Sequence, residues 1–244
     1  MRFPRTPFWS TPLVVALAAC AGNGAPPPVT ATANALTPAE RQAGWVLLFD
    51  GRSTGGWRGF RETQVPSGWT VVDGALTRTG PANDIITLQQ YGDFELALEW
   101  KVAPGGNSGV LYRVTEEAER TYHTGPEMQV LDDAAHRDGL DRRTAAGACY
   151  GLYPAPAGVV RPAGEWNQAR ILVRGSQVEH WLNGQRMAQY ELGGPDWSAR
   201  VAASKFQEWP GYGRARRGHI ALQDHGDLVA YRNIKLRELP GTTP

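Results

Sequence analysis

Cysteine is nearly absent from this chain of 244 residues: Cys20 and Cys149 are its only thiols, too few for a disulfide framework. Excess charge of either sign is missing too. Against 25 Lys and Arg stand 24 Asp and Glu, a net +1, so the basic footprint that nucleic acid or anionic lipid requires is not there. The one long apolar run, from Leu13 to Ala19, is too short to cross a bilayer. No internal repeat or heptad pattern is present. A glycine-rich phosphate loop, a Cys-x-x-Cys pair and a His-Glu-x-x-His helix are all missing. What is plentiful is glycine (29), proline (18) and tryptophan (9), with 41% hydrophobic residues, enough for one sizeable core. Many short strands joined by turns use glycine and proline in this way. The tryptophans serve as core or as platforms for sugar rings.

The first residues read as an address. Arg2 and Arg5 precede the apolar run, and Leu17-Ala-Ala-Cys20 resembles the lipobox of bacterial lipoproteins, in which the cysteine is lipidated. The alternative is an ordinary secretory signal that happens to contain a cysteine. On the lipoprotein reading, residues 1–19 are a signal peptide and residues 20–42 a lipidated, flexible tether with a short helical turn. A β domain then fills residues 43–240. Ala21 and Gly22 do not resemble the aspartate that retains such proteins at the inner membrane, so the expected location is the periplasmic side of the outer membrane, with the lipid as the sole membrane contact. Cys149 is then left without an intrachain partner, and a small buried residue is expected there rather than a nucleophile.

Thr37-Pro-Ala-Glu40 predicts a helix start, with Thr37 as N-cap, Pro38 at the first position and Glu40 closing a capping box. From Trp45 onward the signals are β. Phe94 to Val102 alternates strictly, with Phe94, Leu96, Leu98, Trp100 and Val102 on one face. Val110, Tyr112 and Val114 form the apolar face of a second strand, which places Asn107, Leu111 and Arg113 opposite. Arg170 to Arg174 and Gln177 to Leu182 read as neighbours about Gly175-Ser176, and Asn183-Gly184 predicts a tight hairpin turn. Pro195 to Ala203 is the other helical candidate. His219 to Gln223 and Leu228 to Arg237 close a sandwich of two antiparallel sheets, with the termini on adjacent strands.

The candidate chemistry lies on strand faces. In Gly125-Pro-Glu-Met-Gln-Val-Leu-Asp-Asp133, Met128 and Val130 point one way and Glu127 and Gln129 the other. Asn107 and Arg113 share a face, Gln223 and His225 stand two apart, and Lys205 opens its own short segment. A carboxylate, a lysine, a histidine and amides converging on one sheet would suit a sugar, whose hydroxyls need paired donors and acceptors. Each also has a plainer reading. Arg113 can pair with a nearby carboxylate, His225 can be a turn residue beside Gly226, Lys205 a solvated flank and His180 a satisfied core histidine. Asp132, Asp133, His136, Asp138 and Asp141 form an acidic loop with no dedicated metal spacing, and a solvated loop is expected there in preference to a Ca²⁺ or transition-metal site.

Taken together, Leu48-Phe-Asp-Gly51 with Gly56-Trp57, Asn107-Ser-Gly109, the 125–133 stretch, Val178 to Gly184, Ser204-Lys-Phe206 and Gly218 to Gly226 with Tyr231-Arg-Asn-Ile234 resemble the 3-keto-disaccharide hydrolase family. The likeness runs in order from about Trp45 to Leu239. Cys149 and the run Arg214-Ala-Arg-Arg217 are particular to this chain. The resemblance implies an all-β, concanavalin A-like jelly-roll sandwich acting on glycosides already oxidised to a ketone at sugar carbon 3. Such a di- or oligosaccharide is the expected partner. A base removes the acidified proton of carbon 2, the enolate expels the group on carbon 1, and water adds. Base, enolate partner and acid are assigned to Glu127, Lys205 and His225, with Glu127 and His225 interchangeable. A divalent metal is an alternative to Lys205. Asn107, Arg113, Gln129, Tyr150 and Gln223 are expected to bind substrate, and Asp132 to orient a catalytic group. Two other classes remain open: a non-catalytic lectin-like module, and an ordinary glycosidase using Glu127 with Asp132 or Asp224. The laminarinase-type Glu-x-Asp-x-x-Glu run is here Glu127-x-Gln129-x-x-Asp132, which breaks the standard retaining pair.

Overall fold

A computed structural model of the chain describes residues 33–241 and Met1; the expected signal peptide, Cys20 and most of the tether lie outside the described residues. The first helix, α1 (Pro38–Gln42), starts as its sequence dictates. Thr37 Oγ1 accepts from the Glu40 amide at 3.2 Å, and the Glu40 carboxylate accepts from the Thr37 amide at 2.8 Å.

The strands follow in order: β1 (Val46–Leu47), β2 (Trp57–Gly59), β3 (Trp69–Val72), β4 (Ala75–Arg78), β5 (Ile85–Thr87), β6 (Phe94–Val102), β7 (Asn107–Val114), β8 (Glu127–Leu131), β9 (Asn167–Arg174), β10 (Gln177–Leu182), β11 (Gln185–Glu191), β12 (His219–Leu222) and β13 (Val229–Glu238). The second helix, α2 (Pro195–Ala202), lies between β11 and β12. The larger sheet has the order β11-β10-β9-β6-β13-β4-β3, and the smaller β2-β5-β12-β7-β8. Every pairing is antiparallel, as alternating half-buried strands require. β1 pairs with the end of β13, Val46 opposite Leu236, while β4 takes its beginning, so the first and last strands are neighbours. Where β13 shifts register, Asn233 and Asn34, both at positive φ, exchange side-chain and backbone hydrogen bonds.

The core fills the space between the sheets. Leu96, Leu98, Trp100 and Tyr231 of the larger sheet pack in one cluster with Val110, Tyr112, Met128, Val130, Ile220 and Leu222 of the smaller. Each such side chain stabilises the fold by roughly 1.5–3 kcal/mol. His180 belongs to this core, fully buried, with Nδ1 on the Gly147 carbonyl and Nε2 beside the hydroxyls of Tyr112 and Tyr190. Cys149 is buried in the same cluster.

The hairpin turns have the predicted geometry, with Asn183 at φ 49 and Gly184 at φ 84 between β10 and β11. One strand departs from its alternation. Arg113 has φ 52, and β7 carries an extra residue there, since Leu111 to Val114 spans three steps against two from Ala221 to His219 on β12. Val114 therefore turns away from Val110 and Tyr112. It joins Leu111, Phe60, Ile86 and Ala221 in a small cluster on the other face of the smaller sheet.

Candidate active site

The floor of the site is built on the outer face of the smaller sheet. Glu127 and Gln129 alternate with the core residues Met128 and Val130 along β8, as their spacing requires. Gly109 on β7 lies opposite Gln129. A Cβ at Gly109 would stand 2.0 Å from Glu127 Oε1, so the carboxylate rests where only glycine leaves room. The Gln223 amide donates to the Gly109 carbonyl at 3.0 Å and brings the end of β12 alongside. The other edge of β8 is closed by the segment that carries Tyr150, whose amide donates to the Glu127 carbonyl at 3.1 Å.

Seven of the residues expected from the sequence meet in a pocket of about 360 Å³: Asn107, Glu127, Gln129, Tyr150, Lys205, Gln223 and His225. Lys205 stands on the 3-10 turn Lys205–Glu208, whose entry is capped by Ser204 Oγ accepting from the Phe206 amide. Its ammonium lies 4.7 Å from the Tyr150 ring centre, 5.4 Å from Phe206 and 5.8 Å from Tyr122. Three aromatic rings thus surround one cation. Among the described residues, no carboxylate lies within ion-pairing distance of it. His225 is exposed at the mouth, edge-on to His136.

Glu127 is 5% exposed, and its acid is pushed up to about 8. Burial is the main cause; Lys205 opposes it, while the nearby charges of Asp84 and Asp138 add to it. The carboxyl is therefore protonated at neutral pH. The Tyr150 phenol is raised to about 12, by burial first and then by Asp138 and Glu127. Gln129 Nε2 donates to the Thr144 carbonyl at 3.1 Å, which leaves its buried Oε1, like Asn107 Oδ1, without a donor among the described residues. Both oxygens belong to pocket-lining residues, and both can accept from ligand hydroxyls.

Two expected residues are elsewhere. The bulge at Arg113 breaks the alternation that would have put it beside Asn107. Its guanidinium instead donates to the carbonyls of Gly92 and Gly175 and to Asp93 Oδ1 at 3.1 Å. Asp132 orients a turn rather than a catalytic group: its oxygens accept from the Gly105 amide at 2.8 Å and the Ala134 amide at 3.2 Å. Asp224 is held by Arg78 at 2.6 Å and by the Ala82 amide at 3.0 Å. In the acidic loop, Asp133 is tied to Arg142 and the Ala146 amide, while Asp141 pairs with Arg143 at the surface. Among the described residues, no group of three or more His, Cys, Asp or Glu converges as a metal site.

The sequence did not single out the aromatic wall. Tyr122, Phe206 and Trp209 line the pocket, with Trp209 stacked on His123 at 4.4 Å. Among the described tryptophans Trp209 is the one that lines this pocket and so fits the sugar-platform expectation there, whereas Trp57, Trp69, Trp100 and Trp197 are core. The available clue was its place four residues after Lys205.

Residues 44–237 match the family profile of the 3-keto-alpha-glucoside-1,2-lyase-like domain. The sequence is 35% identical over 228 residues to the 3-keto-disaccharide hydrolase of Bacteroides thetaiotaomicron, covering 80% of this chain and 79% of that protein. The fold superposes on a candidate glycosyl hydrolase of Parabacteroides distasonis with a TM-score of 0.81 at 35% identity, over 86% of this chain and all of that one. A second such protein of the same organism gives 0.65 at 30% identity, over 80% and 99% of the two chains. A Bacillus subtilis protein with a galectin-like fold gives 0.51 at 14% identity and 78% and 94% coverage, a likeness of the jelly-roll fold alone.

Proposed function

We propose, from the premise that this chain belongs to the 3-keto-alpha-glucoside-1,2-lyase-like family, that it cleaves glycosides bearing a ketone at carbon 3 by elimination followed by hydration. The coarser half is common to its relatives: the chain is a glycoside-cleaving enzyme. The observation that carries the finer half is a pocket in which Glu127, buried and protonated at neutral pH, is the one acidic lining residue among the described residues. An ordinary glycosidase flanks the scissile bond with two carboxyl groups, and both candidates for the second, Asp132 and Asp224, are held by other partners.

Roles follow from these environments. The ketone acidifies the proton on carbon 2, and His225 at the mouth takes it, an imidazole being the commonest side-chain base for such a transfer. The electron pair moves onto the ketone oxygen, where the Lys205 ammonium offers a positive charge and hydrogen-bond donors. Collapse of the enolate forms the carbon 1–carbon 2 double bond and breaks the bond from carbon 1 to the leaving oxygen. Glu127 supplies the proton that oxygen needs. Water then adds at carbon 1 of the unsaturated ketone, so the net change is hydrolysis. Asn107 and Gln129 accept from sugar hydroxyls, Gln223 and Tyr150 flank the ring, and Trp209 offers it a face.

The test uses 3-keto glucosides that differ in leaving group. kcat/KM falls as pH rises through about 8, where Glu127 loses its proton. Glu127→Gln loses about 10²–10⁴ in rate on a sugar leaving group but little on a nitrophenolate, which departs without a proton. His225→Ala loses activity on both, and a carbon-2 deuterium slows wild-type cleavage. An unoxidised glucoside cleaved as fast as its 3-keto form sinks this reading, and binding without turnover would make the domain a lectin-like module.

A further inference from the structure

A second cleft, of about 750 Å³, lies beyond the Phe206–Trp209 wall, and the chemistry above makes no use of it. Residues of α2 and of the loop 210–216 line it, and its apolar surface includes Trp197, Val201 and Tyr212. Gly213, at φ +66, lies so close to the Trp197 indole that a Cβ would stand 2.5 Å from Cζ2. The loop is thereby held against a rigid aromatic surface. Arg113, Arg214 and Arg216 line the cleft, and among the described residues no carboxylate does.

Arg113 is occupied by Asp93 and by two carbonyls. Arg214 and Arg216 are exposed and, among the described residues, pair with no acid, whereas their neighbour Arg217 pairs with Glu238 at 3.4 Å. Charges of one sign beside low-dielectric walls raise the local concentration of the opposite charge. Guanidinium groups hold carboxylates by paired hydrogen bonds, and half-buried Trp209, at the edge of the cleft, offers a sugar an apolar surface. The two pockets share Phe206 and Trp209, and Lys205 stands next to Phe206 on the same turn. A substrate larger than one sugar can therefore lie across a common wall.

We propose that this cleft receives the far part of the leaving group and selects one that carries a carboxylate, of the uronic acid kind. The proposal rests on the elimination reading of the neighbouring pocket. The pair of substrates that tests it is a 3-keto-glucosyl glucuronate and the matching 3-keto-glucosyl glucose, each with wild type and with an Arg214→Ala/Arg216→Ala double variant. Wild type is expected to favour the glucuronate by about tenfold or more in kcat/KM, the effect of one charge-assisted hydrogen bond. The preference shrinks with added salt and vanishes in the double variant, while the neutral substrate is turned over as before. Equal rates on both substrates, or a preference that survives in the double variant, overturn the proposal. If wild type cleaves neither substrate, it is the elimination reading that fails, and the cleft is judged by binding alone. A saturable, salt-sensitive tryptophan fluorescence change on titrating glucuronate, absent from the double variant, then upholds the cleft; no change overturns it.

Discussion

Glu127 holds its proton at the expense of stability in alkaline solution. Its folded acid stands at about 8, above the value of an unfolded glutamate, so the folded state keeps a proton that the unfolded state releases. The resulting stabilisation is complete below the unfolded pKa and is lost as pH climbs through about 8. Glu127→Gln has no proton to lose, so its stability relative to wild type should rise between pH 5 and pH 9, by on the order of 4 kcal/mol. Urea unfolding at several pH values measures this, and parallel curves for the two proteins would mean that Glu127 is ionised in the fold. Glu127, Gln129 and Asn107 were legible because strand alternation alone decides where they point. Arg113 was not, because a positive φ at an arginine leaves no mark in the sequence. Trp209 and Tyr122 reach the site through loops, whose paths are set by the packing beneath them.

Among the elements, the β10–β11 hairpin was the most readable. Asn183 takes φ 49, and its side chain also works: Oδ1 accepts from the Gln168 amide at 2.9 Å, and Nδ2 donates to the Val159 carbonyl and to Asn167 Oδ1, both at 2.8 Å. Asn183→Val should destabilise the domain by about 2–4 kcal/mol, from strain at positive φ plus the lost hydrogen bonds. Asn183→Gly relieves the strain alone and should recover about 1–2 kcal/mol of that. Thermal unfolding of the three proteins separates the contributions, and equal midpoints would show that neither matters. Short elements were harder to read. β2 and β5 have three residues each, too few to display a period, and the pairing of β2 with β5 and of β5 with β12 depends on contacts distant in sequence.

For the whole molecule, the order of the long strands gave the sandwich, but not the placing of β13 between β6 and β4, which only the closing of the sheet determines. The nearly even charge is spent on pairs across the outer face of the larger sheet: Glu95 takes both Arg170 and Arg237, and Glu99 takes Arg232. We propose that the chain is a lipoprotein acylated at Cys20 and held at the periplasmic side of the outer membrane, with the catalytic domain beside the lipid surface. Mass spectrometry of the mature N-terminus should find the acyl mass, and Cys20→Ser should move the protein from the membrane to the soluble fraction. A Cys20→Ser protein that stays with the membrane, together with an unacylated wild type, removes the claim.

Cys149 lies fully buried, its thiol pushed up to about 12 by that burial. With Cys20 acylated or replaced by serine, it is the only thiol in the chain. A thiol reagent can therefore react with the folded protein only at moments when the sandwich opens, because neither the thiolate nor access to it exists before then. Each modified molecule records one opening, so the labelling rate serves as an internal clock for unfolding, carried by the protein without any added probe.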